Sequence, residues 1–182
     1  MKVFISGGCK NGKSYYAQQL AKHMGQADSL YYIATMASTG HEDDERIVTH
    51  QKEREGWGFE TIEQPTNISE ILTKCNPQGS FLLDSLTALL ANEMFSHDGN
   101  VNHDAWAKIA DELIQVTDKI NNIVIVSDYL YSDAIIYDPL TNAYRKHLAG
   151  LDKLMAEKCD VVLEAVYTQI IVHKGRVDFA LS

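Results

Sequence analysis

Proline and cysteine are both scarce in this chain, three of each in 182 residues. So few prolines leave helices and strands uninterrupted and exclude a polyproline or low-complexity polymer. Cys9, Cys75 and Cys159 are odd in number and far apart, with neither a zinc pattern nor a disulfide framework, which points to a reducing cytoplasm. No apolar run reaches the 18 or so residues that a membrane-spanning helix needs. Only four residues separate Lys2 from the first glycine, so no signal peptide is expected. Positive charge is also short: 16 Lys and Arg stand against 25 Asp and Glu, a net charge of −9. Such a balance argues against a general nucleic-acid binder or a protein that coats anionic membranes. It leaves room for a local basic pocket that holds a triphosphate.

What is present is an ordinary globular composition, 45% hydrophobic, with no repeat or linker. One domain over 1–182 is the expectation; a domain of that size buries about 70% of its unfolded surface. Near the start stands Gly7-Gly8-Cys9-Lys10-Asn11-Gly12-Lys13-Ser14, which fits the phosphate-loop pattern G-x-x-x-x-G-K-[ST]. A short apolar run, 2–6, precedes it as a buried strand. Behind it Ala17, Leu20, Ala21 and Met24 recur at helical spacing. Strand, glycine turn and helix in that order aim several backbone N–H groups, and the positive end of a helix dipole, at one anion. Lys13 then reaches the β- and γ-phosphates, and the Ser14 hydroxyl is placed to hold Mg²⁺. Cys9 is either a small filler in this loop or an oxidisable thiol beside bound phosphate.

Downstream, strands alternate with helical patterns, the signature of an α/β protein with a parallel sheet. Strands are expected over 30–35, 59–62, 80–84, 123–127, 161–165 and 169–173. Helices are expected over 41–55, 68–74, 86–95 and 140–158. One more helix begins at Asp104 and buries Trp106, Ile109, Ala110, Leu113, Val116 and Ile120. A Tyr- and Asp-rich loop fills 128–139.

Two further stretches can carry chemistry. Asp84 closes the apolar run Phe81-Leu82-Leu83, where a carboxylate beside a phosphate loop holds Mg²⁺; the alternative is a cap on the next helix. In the helix at 41–55, Arg46, His50 and Arg54 fall four apart, on roughly one face. Two guanidiniums push the imidazole toward its neutral form, and a neutral ring has the lone pair a nucleophile needs. The alternative is an exposed amphipathic helix with an idle histidine, one of seven in the chain.

Taken in order, the phosphate loop, Tyr32-Ile33-Ala34-Thr35, Arg46-Ile47-x2-His50-x3-Arg54, Trp57, Thr61-Ile62-Glu63, Leu82-Leu83-Asp84, Leu86-Thr87 and Asn92 resemble one family. It is the bifunctional adenosylcobinamide kinase and adenosylcobinamide-phosphate guanylyltransferase family of cobalamin biosynthesis. The resemblance is continuous over 2–95 and weaker beyond, where the strand at 123–127, Pro139, Arg145, Gly150 and the Val161 strand still align. It implies a RecA-like P-loop NTPase fold, a cytoplasmic homotrimer, ATP and GTP as substrates with Mg²⁺, and adenosylcobinamide as the corrinoid acceptor. It implies that the acceptor hydroxyl is phosphorylated, and that a histidine takes GMP from GTP and passes it to the cobinamide phosphate. His50 matches the guanylylated histidine. Beside Gly7 to Ser14, the residues Ala34, Thr35, Met36, Gln51, Lys52, Glu53, Arg54, Glu63 and Asp84 match nucleotide-contacting positions.

The chain departs from the family on the acceptor side. Where the family has Asn-Glu-Val-Gly, this chain has Asp128-Tyr129-Leu130-Tyr131, and Asp152 replaces an Asn. Asp128 either supplies the missing carboxylate one position early or belongs to a re-routed surface loop. Tyr129, Tyr131 and Tyr137 either line a flat apolar ligand face or pack against the domain. The altered half leaves two other functions open, a P-loop kinase of another small alcohol and a GTP-binding regulator without turnover.

Overall fold

The computed structural model describes residues 1–24, 29–37, 48, 52, 54–95 and 99–177. Seven strands form one sheet: β1 (Lys2–Gly7), β2 (Leu30–Ala34), β3 (Glu60–Glu63), β4 (Ser80–Asp84), β5 (Asn122–Asp128), β6 (Val161–Val166) and β7 (Gln169–Lys174). Their order is β3-β2-β4-β5-β1-β6-β7, and only β7 runs antiparallel to its neighbour. The α/β expectation holds, with a mostly parallel sheet. A helix or longer crossover returns the chain between parallel strands, as parallel pairing requires. The tight hairpin from β6 to β7 turns at Tyr167 and Thr168, which both take positive φ, the geometry of a two-residue β-hairpin.

Helix α1 (Lys13–Met24) covers one face of the sheet. The other face carries a turn at Ile68–Glu70 that runs into α2 (Ile71–Lys74), then α3 (Leu86–Met94), α4 (Ala105–Lys119) and α5 (Pro139–Lys158). The core is therefore split by the sheet. Val3, Ile5, Leu82, Val124 and Val126 pack under α1 with Ala17, Leu20 and Ala21. Phe4, Phe81, Leu83, Ile123 and Ile125 pack under α3, α4 and α5. Successive strand residues point to opposite faces, so the continuous apolar runs of β1, β4 and β5 serve both layers.

Most expected elements are present within a residue or two. Helix α4 buries Ile109, Ala110, Leu113 and Val116 as its spacing predicts, and Ile120 is buried just after it. Trp106 differs: it is 37% exposed. Its indole lies over Gly150 of α5, where a Cβ would stand 2.6 Å from the ring nitrogen, so a glycine on the facing helix shelters one edge of a surface ring. Asp104 is the N-cap of α4 by position, without a side-chain cap bond. Asp138 caps α5 instead of lying idle in the loop: its carboxylate accepts from the Leu140 and Thr141 amides, and Pro139 occupies the first turn. Of the helix expected at 41–55, Val48 and Lys52 are helical and Arg54 already sits in a turn; the remainder lies outside the described residues.

Candidate active site

The phosphate loop forms between β1 and α1. Gly7 packs so closely on β6 that a Cβ there would stand 2.6 Å from the Ala165 carbonyl oxygen. Asn11 donates to that same carbonyl at 3.3 Å. Gly12 has φ +79°, a conformation side chains avoid, and its carbonyl accepts the first helical bond of α1, from the Tyr16 amide at 3.1 Å. Gly8 and Asn11 are partly exposed, while Cys9 and Lys10 are exposed. Lys13 is only 7% exposed; its ammonium donates to the Gly8 carbonyl at 3.1 Å and pairs with Asp128. Ser14, partly buried, follows on the first turn of α1.

Asp128 is the last residue of β5 and stands opposite Gly7 in the parallel register. Its own amide donates to Thr87 Oγ1 at 2.9 Å, which fixes the strand end. The carboxylate that meets Lys13 thus comes from the adjacent strand. Asp84 ends β4, with β5 between it and β1. Two strand spacings, about 10 Å, separate those backbones. The sequence places Asp84 beside Ser14; the structure sets its strand at the same sheet edge, separated from β1 by one strand. Asp84 does not cap the next helix either; Ser85 does, accepting from the Ala88 amide at 3.3 Å.

Asp84 has a different partner. Tyr32 of β2 donates its hydroxyl to Asp84 Oδ2 at 2.9 Å, and the Arg54 guanidinium lies over the Tyr32 ring at 3.7 Å. Burial, then the Asp84 charge, pushes the Tyr32 phenol far above its ordinary value, so it stays a neutral donor. Arg54 is 8% exposed and its Nε is buried without a hydrogen-bond partner among the described residues. Three residues on, Trp57 meets Tyr15 of α1 edge-to-face at 5.6 Å, with the Lys22 ammonium 5.4 Å from its ring. Arg54 and Trp57 therefore fasten the segment that follows His50 onto β2 and α1. His50, Gln51 and Glu53 lie outside the described residues, and Lys52 is exposed.

The sheet alternation puts Tyr32, Asp84 and Asp128 on the α1 face, with Leu82 and Val126 beneath them. Along this edge the order is Glu63, Ala34, Asp84, Asp128 and Gly7, read from β3 to β1. Glu63 is exposed and four strand spacings, about 19 Å, from the phosphate loop. Ala34 and Met36 are half-buried. Thr35 is buried, and its hydroxyl accepts from the Ser85 amide at 2.7 Å and donates to the Ser85 carbonyl at 2.8 Å. Its side chain is thereby committed to holding the β2 and β4 ends together.

Beyond the end of β5 lies a cavity of about 440 Å³, lined by Tyr129, Leu130, Ser132, Asp133, Tyr137 and residues of α5. Arg145 spans its wall, paired with Asp133 at 2.7 Å and set over the Tyr137 ring at 4.5 Å. Tyr129 and Tyr137 line it, whereas Tyr131 turns into the core.

A family model described as cobinamide kinase / cobinamide phosphate guanyltransferase matches residues 3–170. The chain belongs to this family. Among curated relatives, it is 31% identical over 108 residues to the bifunctional adenosylcobalamin biosynthesis protein CobU of Escherichia coli, covering 58% of this chain and 57% of that protein. It is 29% identical over 166 residues to CobP of Pseudomonas aeruginosa, covering 89% and 91%. The Salmonella typhimurium CobU is 28% identical over 113 residues, 62% and 60% of the two chains. The chain thus spans less than two thirds of either CobU in these matches. Among solved structures, the ATPase domain of G40P superposes with a TM-score of 0.52 at 12% identity, over 96% of this chain and 77% of that one. That likeness shows the fold alone, a RecA-like P-loop NTPase.

Sequence reasoning under-read two residues of this constellation. Tyr32 was legible only as part of a strand, because nothing in its spacing says that it bridges Arg54 and Asp84. Asp128 reads equally as a replacement carboxylate or as part of a re-routed surface loop until the register sets it opposite Gly7.

Proposed function

We propose that this chain phosphorylates adenosylcobinamide with ATP or GTP, then moves GMP from GTP through His50 to the cobinamide phosphate. The observation that carries this reading is the spacing along one sheet edge: a phosphate loop with Lys13 at one end, and the Arg54–Tyr32–Asp84 stack that ends the His50 segment at the other. His50 precedes Arg54 by four residues in the sequence.

In the first reaction the acceptor hydroxyl attacks the γ-phosphorus and the nucleoside diphosphate leaves. Lys13 exchanges Asp128 for phosphate oxygens and neutralises the charge that builds there. The released Asp128 carboxylate takes the hydroxyl proton. In the second, the neutral His50 imidazole attacks the α-phosphorus of GTP and pyrophosphate leaves; a phosphate oxygen of the acceptor then displaces the imidazole. Covalent catalysis splits one difficult exchange into two displacements. Gln51, Lys52, Glu53, Arg54 and Glu63 contact the nucleotide in this reading, with Ala34, Thr35 and Met36 at the β2 end. The 129–145 cavity, which opens one residue beyond Asp128, receives the acceptor. A homotrimer belongs to the same reading.

Ser14 and Asp84, a hydroxyl and a carboxylate at the same sheet edge, are donors suited to Mg²⁺, which keeps several waters and takes few protein ligands. Bound there, it would supply charge stabilisation on the phosphates. The test is turnover with adenosylcobinamide and each nucleotide. Phosphorylated and GDP-linked products support the reading; nucleotide hydrolysis promoted only by some other alcohol contradicts it.

A further inference from the structure

On the face of the sheet opposite the phosphate loop, the ends of β1 and β5 carry Ser6 and Ser127, paired in register. Ser6 directly precedes Gly7, and Ser127 directly precedes Asp128. Over them α5 lays Asp152, a carboxylate only 4% exposed. Tyr131 donates its hydroxyl to Asp152 Oδ2 at 2.8 Å. Asp152 Oδ1, Ser6 Oγ and Ser127 Oγ are buried with no hydrogen-bond partner among the described residues, although both serine hydroxyls lie near enough to favour the charge. Burying a carboxylate costs stability, and an apolar residue there would often be no worse. Its position, beneath the two strand ends that carry Gly7 and Asp128, calls for another explanation.

Tyr131 supplies it. Its neighbours Tyr129, Leu130, Ser132 and Asp133 all line the 440 Å³ cavity, while its own ring packs against the core. Only one residue of that wall is aimed inward, and it is the one bound to Asp152. Arg145, also on α5, holds the same wall from outside, through the Leu130 carbonyl at 3.0 Å and Asp133. Tyr144 completes the frame by donating to the Thr87 carbonyl at 2.9 Å, on the residue whose hydroxyl fixes the Asp128 amide.

We propose that Asp152 and Tyr131 are positioning residues: a buried latch that fixes the 129–133 wall of the acceptor cavity against the strand ends bearing Gly7 and Asp128. The latch rests on the reading of that cavity as the cobinamide site. A charge-assisted bond holds Tyr131 more tightly than a neutral one, which is why a carboxylate is kept where an amide would fit.

The test uses the full chain with Tyr131→Phe and Asp152→Asn. Tyr131→Phe is expected to raise KM for adenosylcobinamide about 10-fold with kcat within about threefold, and to leave GTP-dependent labelling of the protein within about twofold. Asp152→Asn gives a smaller rise, about threefold, because the amide oxygen still accepts from Tyr131. Hydrogen exchange is measured alongside, without substrate: amides of 129–133 exchange about 10-fold faster in Tyr131→Phe, and those of β1 do not. Unchanged exchange in 129–133 overturns the latch. Faster exchange with an unchanged cobinamide KM overturns its link to the acceptor, and equal rises in nucleotide and cobinamide KM reduce it to a general structural role. If wild type turns over no cobinamide, the functional reading fails by itself, and the exchange result still decides the latch.

Discussion

Lys13 and Asp152 are two buried charges with opposite histories. Lys13 is held in place by the Gly8 carbonyl and by Asp128, and both contacts keep its ammonium at the mouth of the loop. Lys13→Ala removes the cation that phosphoryl transfer leans on and the ion pair that meets Asp128. Both nucleotide-dependent activities are expected to fall about 100-fold or more, measured as product formation in protein whose melting shows it folded. Asp152 is strained by burial, which pushes its carboxyl from an ordinary 3.8 up to about 6. Between those values the native state binds more protons than the unfolded chain, so stability falls as pH rises through the window, and the full cost is present above about 6. Asp152→Asn removes that cost. Urea unfolding should find the variant more stable than wild type by about 1–3 kcal/mol at pH 7.5, with the gap closing toward pH 4. A variant less stable than wild type at pH 7.5 contradicts the sign.

At the scale of elements, the phosphate loop depends on how closely β6 approaches β1. A methyl group on Gly7 would stand 2.6 Å from the Ala165 oxygen and 3.2 Å from its Cβ, so either the loop or β6 must move. Gly7→Ala is expected to cost about 2–3 kcal/mol in urea unfolding and to weaken nucleotide binding about 10-fold or more. A neutral result by both measures would mean that the approach of β6 is not needed. This element was also the most legible in the sequence, because a phosphate loop needs a strand before it and a helix after it, and both patterns are local. The helix cap, offered by the sequence as the alternative role for Asp84, falls to its neighbour. Ser85, the next residue, is as good a cap as Asp84, and only the register assigns the work to the serine. Trp106 matched the apolar stripe of α4 by spacing, but nothing in the local pattern reveals that only one edge of the ring packs on the bare backbone at Gly150 while the rest stays at the surface.

For the whole molecule, the parallel α/β class followed from alternation of strand and helix, whereas the strand order did not. Which strand inserts between β1 and β4 is decided by long-range pairing, and that decision determines whether Asp84 or Asp128 meets Lys13. The same order spreads the expected site residues over five strands, from Gly7 to Glu63, and Arg54 and Trp57 tie the chain between β2 and β3 to Tyr32 and to α1. The positions at which the resemblance breaks, Asp128, the tyrosine-rich 129–137 stretch and Asp152, lie close together: Tyr131 donates to Asp152, which sits in the body of α5 against the Ser127–Asp128 end of β5. None of the described helices is long and apolar enough to cross a membrane.

The central claim is that a triphosphate held by Lys13 gives its GMP to His50. The direct measurement is incubation of wild type and His50→Ala with GTP labelled at the α-phosphate, followed by peptide mapping. The account predicts an acid-labile, alkali-stable label on His50 in wild type, none in the variant, and cobinamide phosphorylation within about threefold of normal in both. Wild type that binds GTP yet carries no label, or a variant that loses kinase activity as completely as guanylylation, would contradict it.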